Sequence, residues 1–167
     1  MTTSGDAMSL FGDSRYQWRE TYFVLFRQSD RPLASQVVQE LKRDHGRFEV
    51  SNVRKDRHGR LESLTLKCPD DFSAVDISYV SGEEVSEQVE ELVRDISRGT
   101  LTEEEREKMQ LVTRCDARFD IFHFEQVPPE DEEGDDFLDP AALLTVIERL
   151  SQLCHGVGID PQSGSLM

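Results

Sequence analysis

"ARFDIFHFEQV", residues 117–127, decides the fold. Phe119 and Ile121 fall on one of its alternating faces and Phe122 and Phe124 on the other. A half-solvated strand alternates apolar with polar, so a strand apolar on both sides belongs at the centre of a sheet.

Working outward, the segment after it holds seven acids and no base between Glu130 and Asp139. Such a run repels itself and stays solvated. Asp139 and Pro140 then open a helix in "PAALLTVIERLSQLCH", where Leu143, Ile147, Leu150 and Cys154 make one apolar stripe. Upstream, "SGEEVSEQVEELVRDIS" carries a capping box at Ser81 and Glu84 and a stripe of Val85, Val89, Leu92, Val93 and Ile96. "TEEEREKM", with Thr102 and Glu105 as a capping box but almost no apolar face, is a short exposed helix or a connecting turn.

The first half reads as sheet with one returning helix. "TYFVLFR", residues 21–27, is a buried strand, and "LASQVVQELKRD" after Asp30 and Pro32 is a helix with Val37 and Leu41 inward and Gly46 as its stop. "FEVSNVRK" and "LESLTLKC" form a hairpin closed through Gly59, and "AVDISYV" adds a third strand of the meander. The expectation is an α+β domain: an antiparallel or mixed sheet of about four to five strands with helices mainly on one face, a ferredoxin-like split βαβ core and an added C-terminal helix. Residues 1–20 read as a flexible leader and 21–167 as a single domain, with an acidic loop at 128–139.

Composition narrows the function classes. A formal net charge of -15 over 167 residues opposes non-specific affinity for DNA, RNA or anionic lipid. A locally basic stretch does occur, with eight bases against four acids from Lys42 to Lys67, but no aromatic is interleaved with its hairpin for base stacking. No apolar run approaches the ~20 residues of a membrane span, and the start lacks a signal-peptide pattern. Cys68, Cys115 and Cys154 are odd in number and widely spaced, which fits reduced thiols in a cytoplasmic protein. Cys68 and Cys154 fall on apolar faces and read as small core residues.

The C-terminal "LCHGVGIDPQSGSLM" resembles a site only in composition. Its glycines follow a helix, whereas a phosphate loop follows a strand, so Gly156 reads as a helix cap, "VGI" as a short edge strand and "DPQSG" as a turn. The adjacent Cys154 and His155 point about 100° apart on a helix and do not chelate together. In the acidic run the EF-hand spacing fails at Pro129, so neither metal nor cofactor is expected.

Two functional expectations remain. The leading one is a non-enzymatic cytoplasmic protein that binds a basic protein surface through acids, in the manner of an inhibitor or immunity protein. Its candidate residues are Asp131, Glu132, Glu133, Asp135 and Asp136 with Phe137. The alternative is a small-molecule-binding or catalytic domain with a pocket beside the central strand, where His123 works as acid or base with Arg118 or Glu125.

Overall fold

The computed structural model describes residues 10–44, 47–69, 72–96, 99–127 and 141–167. The strands are β1 (Tyr16–Phe26), β2 (Glu49–Lys55), β3 (Leu61–Cys68), β4 (Ser73–Ser81), β5 (Ala117–Gln126), β6 (Val157–Asp160) and β7 (Ser165–Leu166). The helices are α1 (Ala34–Leu41), α2 (Glu83–Ile96), α3 (Glu103–Val112) and α4 (Ala141–Cys154).

All pairings are antiparallel in one seven-stranded sheet of order β2-β3-β4-β5-β1-β6-β7, with β5 at its centre. The expected four to five strands are therefore too few. The additions are β6 and β7, which are too short to show a period of their own and are placed by β1, whose Phe23, Val24 and Leu25 pair with Ile159, Gly158 and Val157. "VGI" accordingly lies inside the sheet, between β1 and β7.

Two connections organise the sheet. β4 and β5 pair along their whole length up to Ser81 opposite Ala117, so α2 and α3 form an excursion whose two ends lie side by side. The unit β5-α4-β6 has β1 running antiparallel between its strands, which is one split βαβ arrangement. A ferredoxin-like core needs a second, interlocked unit, and the order does not supply it, because β1-α1-β2 joins strands four places apart.

The helices cover both faces of the sheet, correcting the expectation that they lie mainly on one. On the first face α1 and α4 bury Val37, Leu41, Leu143, Val146, Ile147 and Leu150 against Val24, Phe26, Leu66, Ile77, Phe119 and Ile121. On the second face α2 and α3 bury Val85, Val89, Met109 and Val112 against Leu25, Val157 and Ile159. The cause is visible in β1 itself: Val24 and Phe26 point one way and Leu25 the other, and all three are 0% exposed. At about 1.5–3 kcal/mol for each fully buried side chain of this kind, leaving either face bare is unaffordable for a chain of this size.

The other end of the second face is closed by the turn Leu10–Gly12. Leu10 packs with Ala74 and Phe124, and its backbone N–H donates to Asp76 Oδ2 at 2.9 Å while Thr65 Oγ1 donates to Asp76 Oδ1 at 2.6 Å. Residues 16–20 belong to β1 and not to a leader. The strand's polar start disguised it, as did a bulge between Trp18 and Glu20 that shifts the register by Arg19.

Helix ends refine the expectations. α2 starts after Gly82, whose φ of 107 and carbonyl, bonded by Val85 and Ser86, replace the expected Ser81 box. Thr102 does cap α3, accepting from Glu105 N at 3.1 Å. At the end of α4 the left-handed residue is His155 (φ 52), not Gly156. Gly156 is required for another reason: a Cβ there would lie 2.5 Å from the Leu25 carbonyl oxygen. The described Cys68, Cys115 and Cys154 are all buried and unbridged. Among the described residues no helix is long and apolar enough to cross a membrane.

Candidate functional site

The β1–β5 ladder sets the surroundings of His123. The bulge brings Glu20 opposite His123, and Glu20 Oε1 lies 3.0 Å from His123 Nδ1. The displaced Arg19 donates to Glu125 Oε1 at 3.1 Å. The carboxylate that orients His123 is therefore Glu20, and Glu125 is occupied by Arg19. Arg118 is removed from this group altogether: five residues along a strand is an odd step, which puts it on the opposite face. At 3% exposure His123 is packed, and it lines none of the three clefts described for the molecule. A fixed, paired imidazole has the chemistry of a base, but substrate must reach it, and this one lies under the fold.

Arg118 instead ties α2 to the sheet. Its guanidinium donates to Asp120 at 2.6 Å, Gln88 at 2.7 Å and Glu84 at 2.8 Å. Burial works against the Arg118 charge, yet the bonds to Asp120 and Glu84 outweigh it and hold its pKa above the ordinary value. Burial also pushes the Asp120 carboxyl up, against the pull of Arg118. This is a structural clamp, in which each of the three guanidinium nitrogens has a protein partner.

The acidic candidates Asp131, Glu132, Glu133, Asp135, Asp136 and Phe137 lie outside the described residues. The acidic surface that is described sits on α2 and α3. From Glu83 to Val112 the sequence has ten carboxylates (Glu83, Glu84, Glu87, Glu90, Glu91, Asp95, Glu103, Glu104, Glu105 and Glu107) against four bases. Nine of these carboxylates are exposed and Glu105 is half-buried. The charge follows from the helical period: the inward stripe takes Val85, Val89, Met109 and Val112, and the remaining positions meet water. Sequence reasoning read these helices for their apolar stripe and passed over their outer face, although its signal was present in "EEVSEQVEE" and "TEEERE".

Beneath this layer an open cleft of about 900 Å³ runs between α2, the start of α3 and the β6–β7 edge. Its floor is apolar, with Leu92, Ile96, Ile159 and Leu166, and its rim carries Glu91, Asp95, Glu104 and Glu105. Lys108, also on the rim, is matched by Glu104 at 3.4 Å.

The basic hairpin lies at the far edge of the sheet, on β2 and β3. Part of its charge serves the fold. Arg31 holds Asp56 at 3.2 Å, Arg60 donates to the Arg31 carbonyl, and the backbone N–H groups of Arg60 and His58 hold the Asp56 carboxyl below its ordinary range. Arg54, Lys55 and Arg57 are exposed. Apolar surface is exposed on the second face, where Phe11 packs edge-on against Phe122 and Phe124 with 58% of itself in solvent, and Trp18, opposite Phe124, is 48% exposed.

Among the described residues no three His, Cys, Asp or Glu side chains converge as a metal site. No family model matches this chain, and no curated protein or solved structure matches it either, so its reading rests on its own residues.

Proposed function

We propose that the protein works by binding another protein that presents a basic surface, and that its acidic surface makes the contact. The observation that carries this reading is the outer face of α2 and α3, where ten carboxylates stand over one half of the sheet. Among the described residues, Glu84 and Glu104 are the two of these with a basic partner in a salt bridge. Carboxylates left in water stabilise the fold little and steer a cationic partner over a distance of about a Debye length. The acidic run at residues 130–139 adds to the chain's negative charge. The partner class is that of an inhibitor or immunity protein's target, a protein whose function depends on a basic face.

The exposed Phe11 and Trp18 support a macromolecular partner, since an aromatic in water at the surface is the kind of residue that anchors an interface. The test is capture of a partner at low salt, its release at high salt, and then association kinetics with the purified pair. Neutralising Asp131, Glu132, Glu133, Asp135 and Asp136 together, and separately Glu87, Glu90, Glu91 and Asp95, is expected to slow association by about tenfold and flatten its salt dependence. Rates unchanged in both variants end the reading.

A further inference from the structure

We propose that the cleft between α2, α3 and the β6–β7 edge receives an extended, cationic peptide segment of the partner, which adds to β7 as a further strand. The proposal rests on the acidic-surface reading above and names the place and the conformation of what it binds.

Three observations converge there. The first is the backbone. Ile159 and Leu166 are paired, and the Met167 N–H bonds to the Gly158 carbonyl at 2.7 Å. That register makes Ile159 and Leu166 a pair that does not bond to itself, so the N–H and C=O of Leu166 point outward from the sheet. The outward N–H and C=O of Leu166 offer an extended chain one pair of bonds at this sheet edge.

The second is the floor. Leu166 and, on α2, Leu92 and Ile96 are only partly buried by the fold, and they pack over the buried Ile159 to make an apolar surface. In a strand added to β7, every second side chain faces the cleft, and of these the residues over the floor are apolar and those at its ends, beneath the rim, are cationic.

The third is charge. Glu91 and Asp95 lie one helical turn apart on α2, and Glu104 and Glu105 open α3 across the gap. Their carboxylates line the cleft and, Glu104 excepted, have no ion pair within the fold's described salt bridges. Lysine or arginine side chains of the segment would meet them, the long aliphatic stems reaching from the cleft to the rim. A volume of about 900 Å³ is far larger than one ion needs and lies near the top of the ~300–1,000 Å³ range of ligand clefts.

The experiment measures binding to the full chain, by fluorescence anisotropy, of a short N-acetylated Lys-Val peptide that carries Val and Lys together on one alternating face and Ser on the other. Two companion peptides are needed: the same peptide with Ser in place of Val, and the Lys-Val peptide N-methylated at every second residue so that one edge cannot donate. The Lys-Val peptide is expected to bind at least about tenfold more tightly than either companion. It is also expected to lose about tenfold on a chain carrying Glu91→Gln, Asp95→Asn, Glu104→Gln and Glu105→Gln. Glu91, Asp95 and Glu104 are exposed and Glu105 is half-buried, and a circular dichroism melt checks that the variant folds. Equal binding of all three peptides reduces the effect to charge attraction and overturns the proposal, as does no binding of the Lys-Val peptide or unchanged binding by the variant. If a captured partner still depends on Asp131 to Asp136 while the peptide fails, the cleft falls and the acidic-surface reading stands; if neither acidic set matters, both fall.

Discussion

Glu20 and His123 face each other across the β1–β5 ladder, Oε1 to Nδ1 at 3.0 Å, because a bulge at Arg19 advances β1 by one residue at that point. The pair is buried on the histidine side and half-open on the glutamate side. Its role is to satisfy an imidazole in the core. Glu20→Ala is expected to cost about 1–3 kcal/mol, the penalty of an unsatisfied buried polar group, read as a lowered urea midpoint with unchanged slope. His123→Ala destabilises comparably, and a variant that stays folded keeps its partner binding. Loss of binding by folded His123→Ala protein restores the pocket reading.

Asp76 holds the N-terminal turn to the sheet through Leu10 N–H and is itself held by Thr65. Asp76→Ala leaves the Thr65 hydroxyl and Leu10 amide without their acceptor and is expected to cost about 1–3 kcal/mol. Its distinguishing sign is local: amide exchange accelerates at Leu10 and along the start of β1 before the centre of β5 is affected. Uniform acceleration across the sheet shows that the turn is not held separately.

Gly156 and Gly158 differ in what surrounds them. A Cβ at Gly156 meets the Leu25 carbonyl oxygen at 2.5 Å, and backbone in the middle of a sheet cannot move aside; at Gly158 it meets Ile147 Cγ2 at 2.8 Å, a methyl on a buried β-branched side chain that yields only by a shift of that side chain against its helix. Gly156→Ala is expected to cost about 3 kcal/mol and Gly158→Ala about 2 kcal/mol, within the range for overpacked sites. Urea unfolding of the two single variants checks the order, and the reverse order contradicts the stated approach of α4's exit to β1.

Two carboxyls give stability opposite dependences on pH. The Arg15 guanidinium and backbone N–H hold Asp13 down from 3.8 to about 2, so its contribution is complete above 3.8 and is lost as pH falls toward 2. Burial raises Asp120, so the folded chain keeps that proton longer than the unfolded chain, and stability declines as pH climbs from 3.8 through the folded value. Urea midpoints taken from pH 2 to 6 are expected to show a flatter acid limb in Asp13→Asn and a smaller decline above pH 3.8 in Asp120→Asn. Slopes identical to the parent in both variants refute the assignment.

Much of this architecture was legible in the residues themselves. Alternation in "LESLTLKC" and Gly59 gave the hairpin, and the stripes of α2 and α4 gave their inward sides. What a stripe does not say is which face of the sheet a helix packs against. That information sat in the strands: Leu25 between Val24 and Phe26, and Phe122 beside Ile121, each demand cover on both faces. The start of β1 was missed because "YQWRE" lies where the strand is mostly in water and then bulges, so no clean period survives. β6 shows in "VGI" only as a short edge strand with no partner assigned, and β7 is hidden by shortness, since two residues carry no pattern. At the candidate site, the odd spacing of Arg118 and His123 already separated them, whereas Glu20 is 103 residues away and only the register could bring it in.

The side-by-side ends of β4 and β5 at Ser81 and Ala117 mean that the ladder is complete without anything between them. Residues 82–116 therefore behave as a cassette plugged into a closed hairpin. The sheet asks of the cassette that it roof Leu25, Val157 and Ile159 and that it bring Glu84 and Gln88 to Arg118; the other outer positions can change without disturbing the scaffold.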